Sequence, residues 1–235
     1  MIDWHSHILP AMDDGSHDET ESLAMLSSMA DQGVDTVIAT PHFLANHESS
    51  ISSFLARRAE SEMRLRACMD DRTALPRVIC GAEVAYFPGI SRMDDLPDLT
   101  IGQSQLLLLE MPFEVWTEYT VRELSEMLCD GRYTVVLAHM ERYWYLQSRD
   151  THERLLAEHL NMQINASYLL RWSTRRKALR LLSNKVVRFI GSDAHNMSTR
   201  PPRIGEAYDI VRRKLGGDFL QRFDRYGKRM LEVAN

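Results

Sequence analysis

The chain has 235 residues, 44% of them hydrophobic, enough apolar material to bury a sizeable core in one domain spanning residues 1–235. Its formal charge of −5 and its pI near 6.0 give no basic excess of the kind that a nucleic-acid surface requires. Cys68, Cys80 and Cys129 are widely spaced, form no CxxC pair and sit in no Gly-rich phosphate loop followed by Arg. That pattern argues against a zinc finger, a disulfide scaffold or a cysteine-dependent phosphatase, and suits a reducing compartment.

The N-terminus lacks a basic segment followed by a long apolar one, and no run approaches a bilayer-spanning length. A cytoplasmic protein without direct membrane insertion is therefore expected. The opening apolar strand ends on His5 and His7, two residues apart and so on one face, and an acidic turn, Asp13-Asp14-Gly15, follows. Residues 16–32 have apolar positions at helical spacing and stop before Gly33, and 34–40 is a β-branched strand that Pro41 ends, leaving His42 in a loop. Residues 49–71 predict an exposed helix, 77–83 a third strand ending on Glu83, and 86–99 a Pro- and Gly-containing loop. The almost continuously apolar 105–110 predicts a strand buried on both faces and ending on Glu110. A helix over 115–130 and a strand over 133–138 lead to His139. A helix over 151–159, a short strand over 162–165 and a helix over 174–183 come next. Arg171, Arg175, Arg176 and Lys177 read as a solvated basic cluster, with contact to an anionic partner as the other reading. Strand 186–190 delivers Asp193 and His195, an amphipathic helix covers 203–215, and a short helix with a polar tail closes the chain.

Strands alternating with helices give parallel βαβ units. About seven of them, with His, Asp or Glu at strand C-termini, fit a closed or nearly closed α/β barrel, whose sites gather at that face. A doubly wound open sheet is the structural alternative. The convergent candidates are His5, His7, Asp14, His42, Glu83, Glu110, His139, Asp193 and His195, a nitrogen and oxygen set without thiolate that suits manganese, iron, zinc or cobalt. Nine candidates are too many for one ion, so two or three divalent ions are expected, with one carboxylate bridging. Three ions against four carboxylates would leave an excess of two positive charges, which attracts a phosphate dianion. Arg142 and Arg200 stand close to these ligands in sequence and supply the guanidinium fork that holds phosphate; Arg203 is an even choice between that role and a surface helix start.

The set His5-Ser-His-Ile-Leu-Pro, Asp13-Asp-Gly, Ala39-Thr-Pro-His42, Gly81-Ala-Glu83, Ala138-His-Met-Glu-Arg-Tyr143, Gln163-Ile-Asn165, Gly191-Ser-Asp-Ala-His195 and Arg200-Pro-Pro202 resembles the PHP-superfamily protein-tyrosine phosphatases of bacterial capsule and exopolysaccharide clusters, the CpsB/YwqE type. The resemblance implies a distorted (β/α)7 barrel of TIM-like form and a trinuclear, manganese-responsive centre held by the nine candidates. It further implies that metal-activated hydroxide removes phosphate from tyrosines on the tail of a cognate tyrosine autokinase. Arg142 and Arg200 match the arginines that hold the phosphate. The chain departs from the pattern at Met140, where Pro is common, at Phe43, where a second His is common, and at Ala166 to Trp172, which replaces a Gly-rich segment. These departures touch the rim and bear on the substrate more than on hydrolysis.

Two other readings stand beside this one. A related phosphatase of a small phosphomonoester, such as histidinol phosphate, would share the ligands and differ in its rim. A non-catalytic module docking a kinase would be expected to have lost ligands. The sequence leaves the oligomeric state open, and it leaves the group that protonates the leaving phenolate open between Asp14 and a metal-bound water.

Overall fold

The protein is described by a computed structural model over residues 1–69, 74–158 and 160–232. Its strands are β1 (Ile2–Ser6), β2 (Thr36–Ala39), β3 (His42–Phe43), β4 (Arg77–Cys80), β5 (Glu83–Ala85), β6 (Leu106–Glu110), β7 (Thr134–Leu137), β8 (Asn161–Asn165) and β9 (Phe189–Gly191). Between and after them run α1 (Glu19–Asp31), α2 (Ile51–Met69), α3 (Glu118–Cys129), α4 (Arg149–Ala157), α5 (Ala166–Leu170), α6 (Trp172–Ser183), α7 (Ile204–Leu215) and α8 (Gly217–Leu231). Side-chain caps set several helix starts: Asp18, Thr117 and Ser148 accept from the backbone N–H three residues on and open α1, α3 and α4.

Every strand pair is parallel, in the orders β1-β2-β4 and β3-β5-β6-β7-β8-β9. Together they make a curled, half-barrel α/β sheet. The two ends of the strand series are joined: the Asp193 N–H donates to the His5 carbonyl and the His7 N–H to the Ala194 carbonyl, both at 2.8 Å. A flat doubly wound sheet would keep these ends apart.

The period-2 alternation of side chains divides the core between the faces of the sheet. One apolar cluster gathers Ile2, Trp4, Ile38, Leu106, Leu108, Val136 and Phe189, and Tyr226, Met230 and Leu231 of α8 pack against it. The larger cluster takes the alternate residues, among them Val37, Leu107, Leu109, Val135 and Leu137, with the buried sides of the helices. Each fully buried Leu or Val contributes about 1.5–3 kcal/mol. Glu110 follows Leu106 and Leu108 in the same alternation, so burying that face carries its carboxylate to the C-terminal edge.

The structure corrects several sequence expectations. The strand expected over 34–40 does end before Pro41, at Ala39, but His42 lies in a further strand, β3, instead of a loop, paired in register with Glu83. Proline removes one donor, but its carbonyl still accepts from the Glu83 N–H at 3.0 Å, so pairing resumes one residue later. The strand expected over 77–83 is likewise divided around Gly81-Ala82. Residues 166–170, given no element by the sequence, form α5, and α6 starts at Trp172, earlier than expected. The closing helix α8 is not short but 15 residues long, because its apolar face covers one end of the smaller cluster. The expected helix end at Asp71, the helix end at His159 and the polar tail at 233–235 lie outside the described residues.

Gly191 sits where β9 meets β1: an added Cβ would stand 2.4 Å from the His5 Cβ and 2.8 Å from the Gln163 Nε2. Gly191→Ala is expected to cost about 1–3 kcal/mol, as overpacking does, read as a lowered urea midpoint, and to reduce bound metal because His5 must shift.

Candidate metal centre

The nine candidate ligands meet at the C-terminal edge of the sheet. Four groups of them have ligand atoms within 4.8 Å of one another: His7, Asp14, His42 and His195; His5, His7 and Asp193; His5, Glu83 and His139; His42, Glu83 and Glu110. Their union is the set read from the sequence. His5, His7 and Glu83 are fully buried, and His139, Asp193 and His195 nearly so. Asp14 is the open member, with a side chain 67% exposed.

Local structure aims each group. His5 and His7 leave β1 on one side, and the acidic turn folds back so tightly that a Cβ on Gly15 would lie 2.3 Å from the His7 carbonyl. His139 (φ 26°) and Asp193 (φ 54°) both sit in the left-handed region that side chains other than glycine's disfavour. Holding a non-glycine residue there costs on the order of 1–3 kcal/mol, and such strain gathers at functional sites. The Gln163 Oε1 atom accepts from the His139 N–H at 2.5 Å, and His5 accepts through its carbonyl from the Asp193 N–H, so both turns are fixed from neighbouring strands.

Glu83 is the hub. Its Oε2 lies 3.1 Å from the His5 Nε2, 3.1 Å from the His42 Nδ1 and 3.3 Å from the His7 Nε2, and its Oε1 lies 2.7 Å from the His139 Nε2. Glu110 stands 3.2 Å from the His139 Nε2, and Asp14 stands 3.4 Å from the Nε2 atoms of both His42 and His195. Two ligand atoms about 2.1 Å from one ion are separated by about 3.0–3.4 Å in octahedral or tetrahedral coordination, the spacing found here. The buried His42 Nδ1, Glu83 Oε2 and His195 Nε2 have no hydrogen-bond partner. Such orphans are costly, and metal ligation satisfies all three. The His5 and His7 Nε2 atoms approach to 3.1 Å, a contact that shared ligation accounts for. The residues therefore fit metal ligation.

The protonation balance points the same way. Burial alone would lower the pKa of His7, but its bonds to the Asp13 and Glu83 carboxylates hold it at about 10. Burial also opposes charge on His139, and the charge of Glu83 overrides it, raising the pKa to about 9. Glu83 is held well below the usual range: burial works against its charge and the His5 and His139 imidazoles win. His195 is pushed down to about 4 by burial and by the charges of His7 and Arg200. His7 and His139 thus hold protons where cations fit, while His195 offers a free nitrogen.

Both candidate arginines reach the site. The Arg142 guanidinium pairs with the Asp193 Oδ2, and the Arg200 guanidinium lies 2.7 Å from the Asp193 Oδ1. Arg203 instead pairs with Glu206 at 2.6 Å on the surface. Of the basic cluster, Arg175 donates to the carbonyls of Leu169 and Leu170. The three cysteines are free and none is among the ligand groups; burial pushes the Cys80 thiol far up, away from nucleophilic use.

In the sequence Asp13 reads only as part of a turn. In the structure its carboxylate takes the His7 Nδ1 at 2.7 Å, the His42 N–H at 2.8 Å and the Gly15 N–H at 2.9 Å, which fixes two ligands at once. Gln163 and Asn165 do similar work: Gln163 donates to the Asn165 Oδ1, and Asn165 donates to the Asp193 Oδ2 at 2.7 Å. The signal for both was their position two apart at the end of β8, where His5 and His7 stand on β1.

A curled parallel sheet that brings five histidines and four carboxylates to its C-terminal edge defines an α/β protein of the metal-ligating class. The chain belongs to the capsular polysaccharide synthesis family CpsB/CapC, whose model matches residues 1–230. It is 30% identical to the tyrosine-protein phosphatase YwqE of Bacillus subtilis (strain 168), over 93% of this chain and 86% of the relative. A crystal structure from the study of YwqE of Bacillus subtilis and CpsB of Streptococcus pneumoniae, described as unique metal-dependent tyrosine phosphatases, superposes with a TM-score of 0.80 at 26% identity, covering 98% and 94% of the two chains. A histidinol phosphate phosphatase of Lactococcus lactis, solved with zinc, L-histidinol and phosphate, shares the fold at 13% identity, with a TM-score of 0.56 and coverage of 90% and 92%.

Two measurements check this geometry. Asp13→Asn is expected to weaken metal binding about 10–100-fold, as loss of a partner that orients a ligand does, read by calorimetric titration, with full stoichiometry retained at saturation. In chelator-treated protein, the raised pKa values of His7 and His139 contribute stability that is complete below about pH 6.5 and is lost as pH rises through 9 and 10. The thermal midpoint should therefore fall across that window without metal and hold or rise with it, because metal displaces the protons.

Proposed function

We propose that this chain is a metal-dependent protein-tyrosine phosphatase acting on the phosphotyrosine-bearing tail of a bacterial tyrosine autokinase in the cytoplasm, and so regulating capsule or exopolysaccharide synthesis. In this reading residues 1–235 form one domain, a distorted (β/α)7 barrel. Support for the barrel comes from the backbone bonds between β1 and the end of β9, with β2 and β3 counted as one interrupted strand and β4 and β5 as another.

The observation that carries the reading is Asp193, a candidate ligand bracketed by Arg142 and Arg200. Each guanidinium presents a fork to oxyanions, so a phosphate drawn to the centre would meet two of them beside the ligands. His5, His7, Asp14, His42, Glu83, Glu110, His139, Asp193 and His195 would hold two or three ions, most simply manganese, with iron, zinc and cobalt suiting the same donors. Bound there, the ions would supply an activated water and neutralise charge on the phosphoryl oxygens. Asp13 orients His7 and His42, and Asn165 steadies Asp193 while the arginines turn to substrate. The tyrosine phosphatases among the relatives favour a phosphotyrosyl substrate, whereas the histidinol phosphate phosphatase speaks for the fold alone.

The test is hydrolysis of a tyrosine-phosphorylated tail peptide beside histidinol phosphate, before and after chelation and return of manganese. Manganese-restored cleavage of the peptide, much faster than of the small ester, is expected; the reverse preference would make this a metabolic phosphatase. His139→Ala and Asp193→Asn should each lower the rate by about a hundredfold or more. If the filled enzyme cleaves neither compound and still binds the kinase, the docking module replaces the phosphatase.

A further inference from the structure

Helix α5, where the chain departs from the family pattern, walls two clefts that meet at the site. One, of about 250 Å³, is lined by Asn165, Ser167, Asp193, Arg200 and Arg142. The other, of about 480 Å³, shares Arg142, Asn165 and Ser167 and adds Phe113, Tyr145, Tyr168, Arg171 and one acid, Glu141, whose carboxylate accepts from the Asn165 N–H. The first chamber is ionic and the second is walled by aromatic rings.

Those rings are unusually open to solvent. Phe113 is 54% exposed and Tyr145 is 65% exposed, although both belong to types that normally bury their rings. They come from the turns after β6 and β7, so they stand at the end of the sheet that carries the ligands. Phe113 is held in place: its ring stacks on the buried Tyr143 ring with centroids 6.0 Å apart and lies 5.9 Å from the His139 ring, and the Arg142 guanidinium sits 5.9 Å from its centre. A fixed ring with an open face, next to an arginine that faces the metal centre, is the surface on which a flat aromatic group lies.

Charge sets what flanks that group. Arg171 is exposed and, among the described residues, its guanidinium has neither an ion pair nor a hydrogen bond. It precedes α6, whose first turn holds Arg175 and no acid. Cations at a helix N-terminus oppose the helix dipole and raise the local positive potential, which favours an anion there.

Resting on the phosphatase reading, we propose that the second cleft receives the phenyl ring of phosphotyrosine, with its phosphate in the first, and that Arg171 receives a carboxylate of an acidic residue next to that tyrosine. The ligand class is thus an acidic phosphotyrosyl peptide, selected against phosphoserine by the ring.

The experiment uses the full chain with manganese and three peptides of one sequence: phosphotyrosine flanked by Glu, phosphotyrosine flanked by Ala, and phosphoserine flanked by Glu. The double variant Tyr145→Ala/Tyr168→Ala should raise KM for both phosphotyrosyl peptides about tenfold with kcat retained, and leave the rate on the phosphoseryl peptide as it was. Arg171→Glu should weaken the Glu-flanked peptide about tenfold more than the Ala-flanked one, and added salt should reduce that difference. Equal losses on all three peptides, or unchanged KM values in variants whose thermal midpoints match the parent, would overturn the cleft assignment. A parent enzyme with filled metal sites and no activity on any phosphotyrosyl peptide would instead overturn the phosphatase reading beneath it.

Discussion

The structure depends on one buried carboxylate. Glu83 is fully buried with four imidazoles around its two oxygens at 2.7 to 3.3 Å, and one of those oxygens lacks a hydrogen bond. Stripped of cations, such a cluster would be a severe cost, since buried charge must be neutralised or paired. With cations the same atoms become bonds. The edge of the sheet is therefore assembled as a receptor for positive charge, and the left-handed backbones of His139 and Asp193 are tolerable because the surrounding bonds hold them.

Most of this was legible in the sequence because strand ends are easy to read. A β-branched or apolar run that stops on His, Asp or Glu announces both the strand and the side chain it presents, and six such runs carry eight of the nine ligand candidates, the ninth being Asp14 of the acidic turn. Less legible were features that depend on contacts across strands. Nothing local says that pairing resumes after Pro41, since the acceptor that bridges the gap belongs to Pro41 and the donor to Glu83. Asp13 and Asp14 are adjacent acids, and only the folded turn shows that one braces His7 while the other opens to solvent. Helix α5 has five residues and no side-chain cap, so it had no periodic signal to give.

Two sides of the centre differ in chemistry, and that difference organises the surface around it. Asp13, Asp14, Glu48 and Glu110 line the cleft on the His42 side, where Arg57 is paired with Glu48. Arg142, Arg200 and Arg203 line the cleft on the Asp193 side. The field across the mouth thus runs from acidic to basic over a few side chains. An anion approaching it is oriented as well as attracted, because potentials focused in a cleft act before contact.

The bonds between β1 and the end of β9 have a consequence for the birth of the protein. His5 and His7 leave the ribosome well before their partners Asp193, Ala194 and His195, which are nearly 190 residues further along the chain. Contacts of such long sequence separation form late, because the loop-closure entropy must be met before they reward it. A nascent chain would hold its first histidines without the acids and arginines that complete the centre. Hydrolytic competence therefore arrives only after residues 193–200 have been made and have closed on β1.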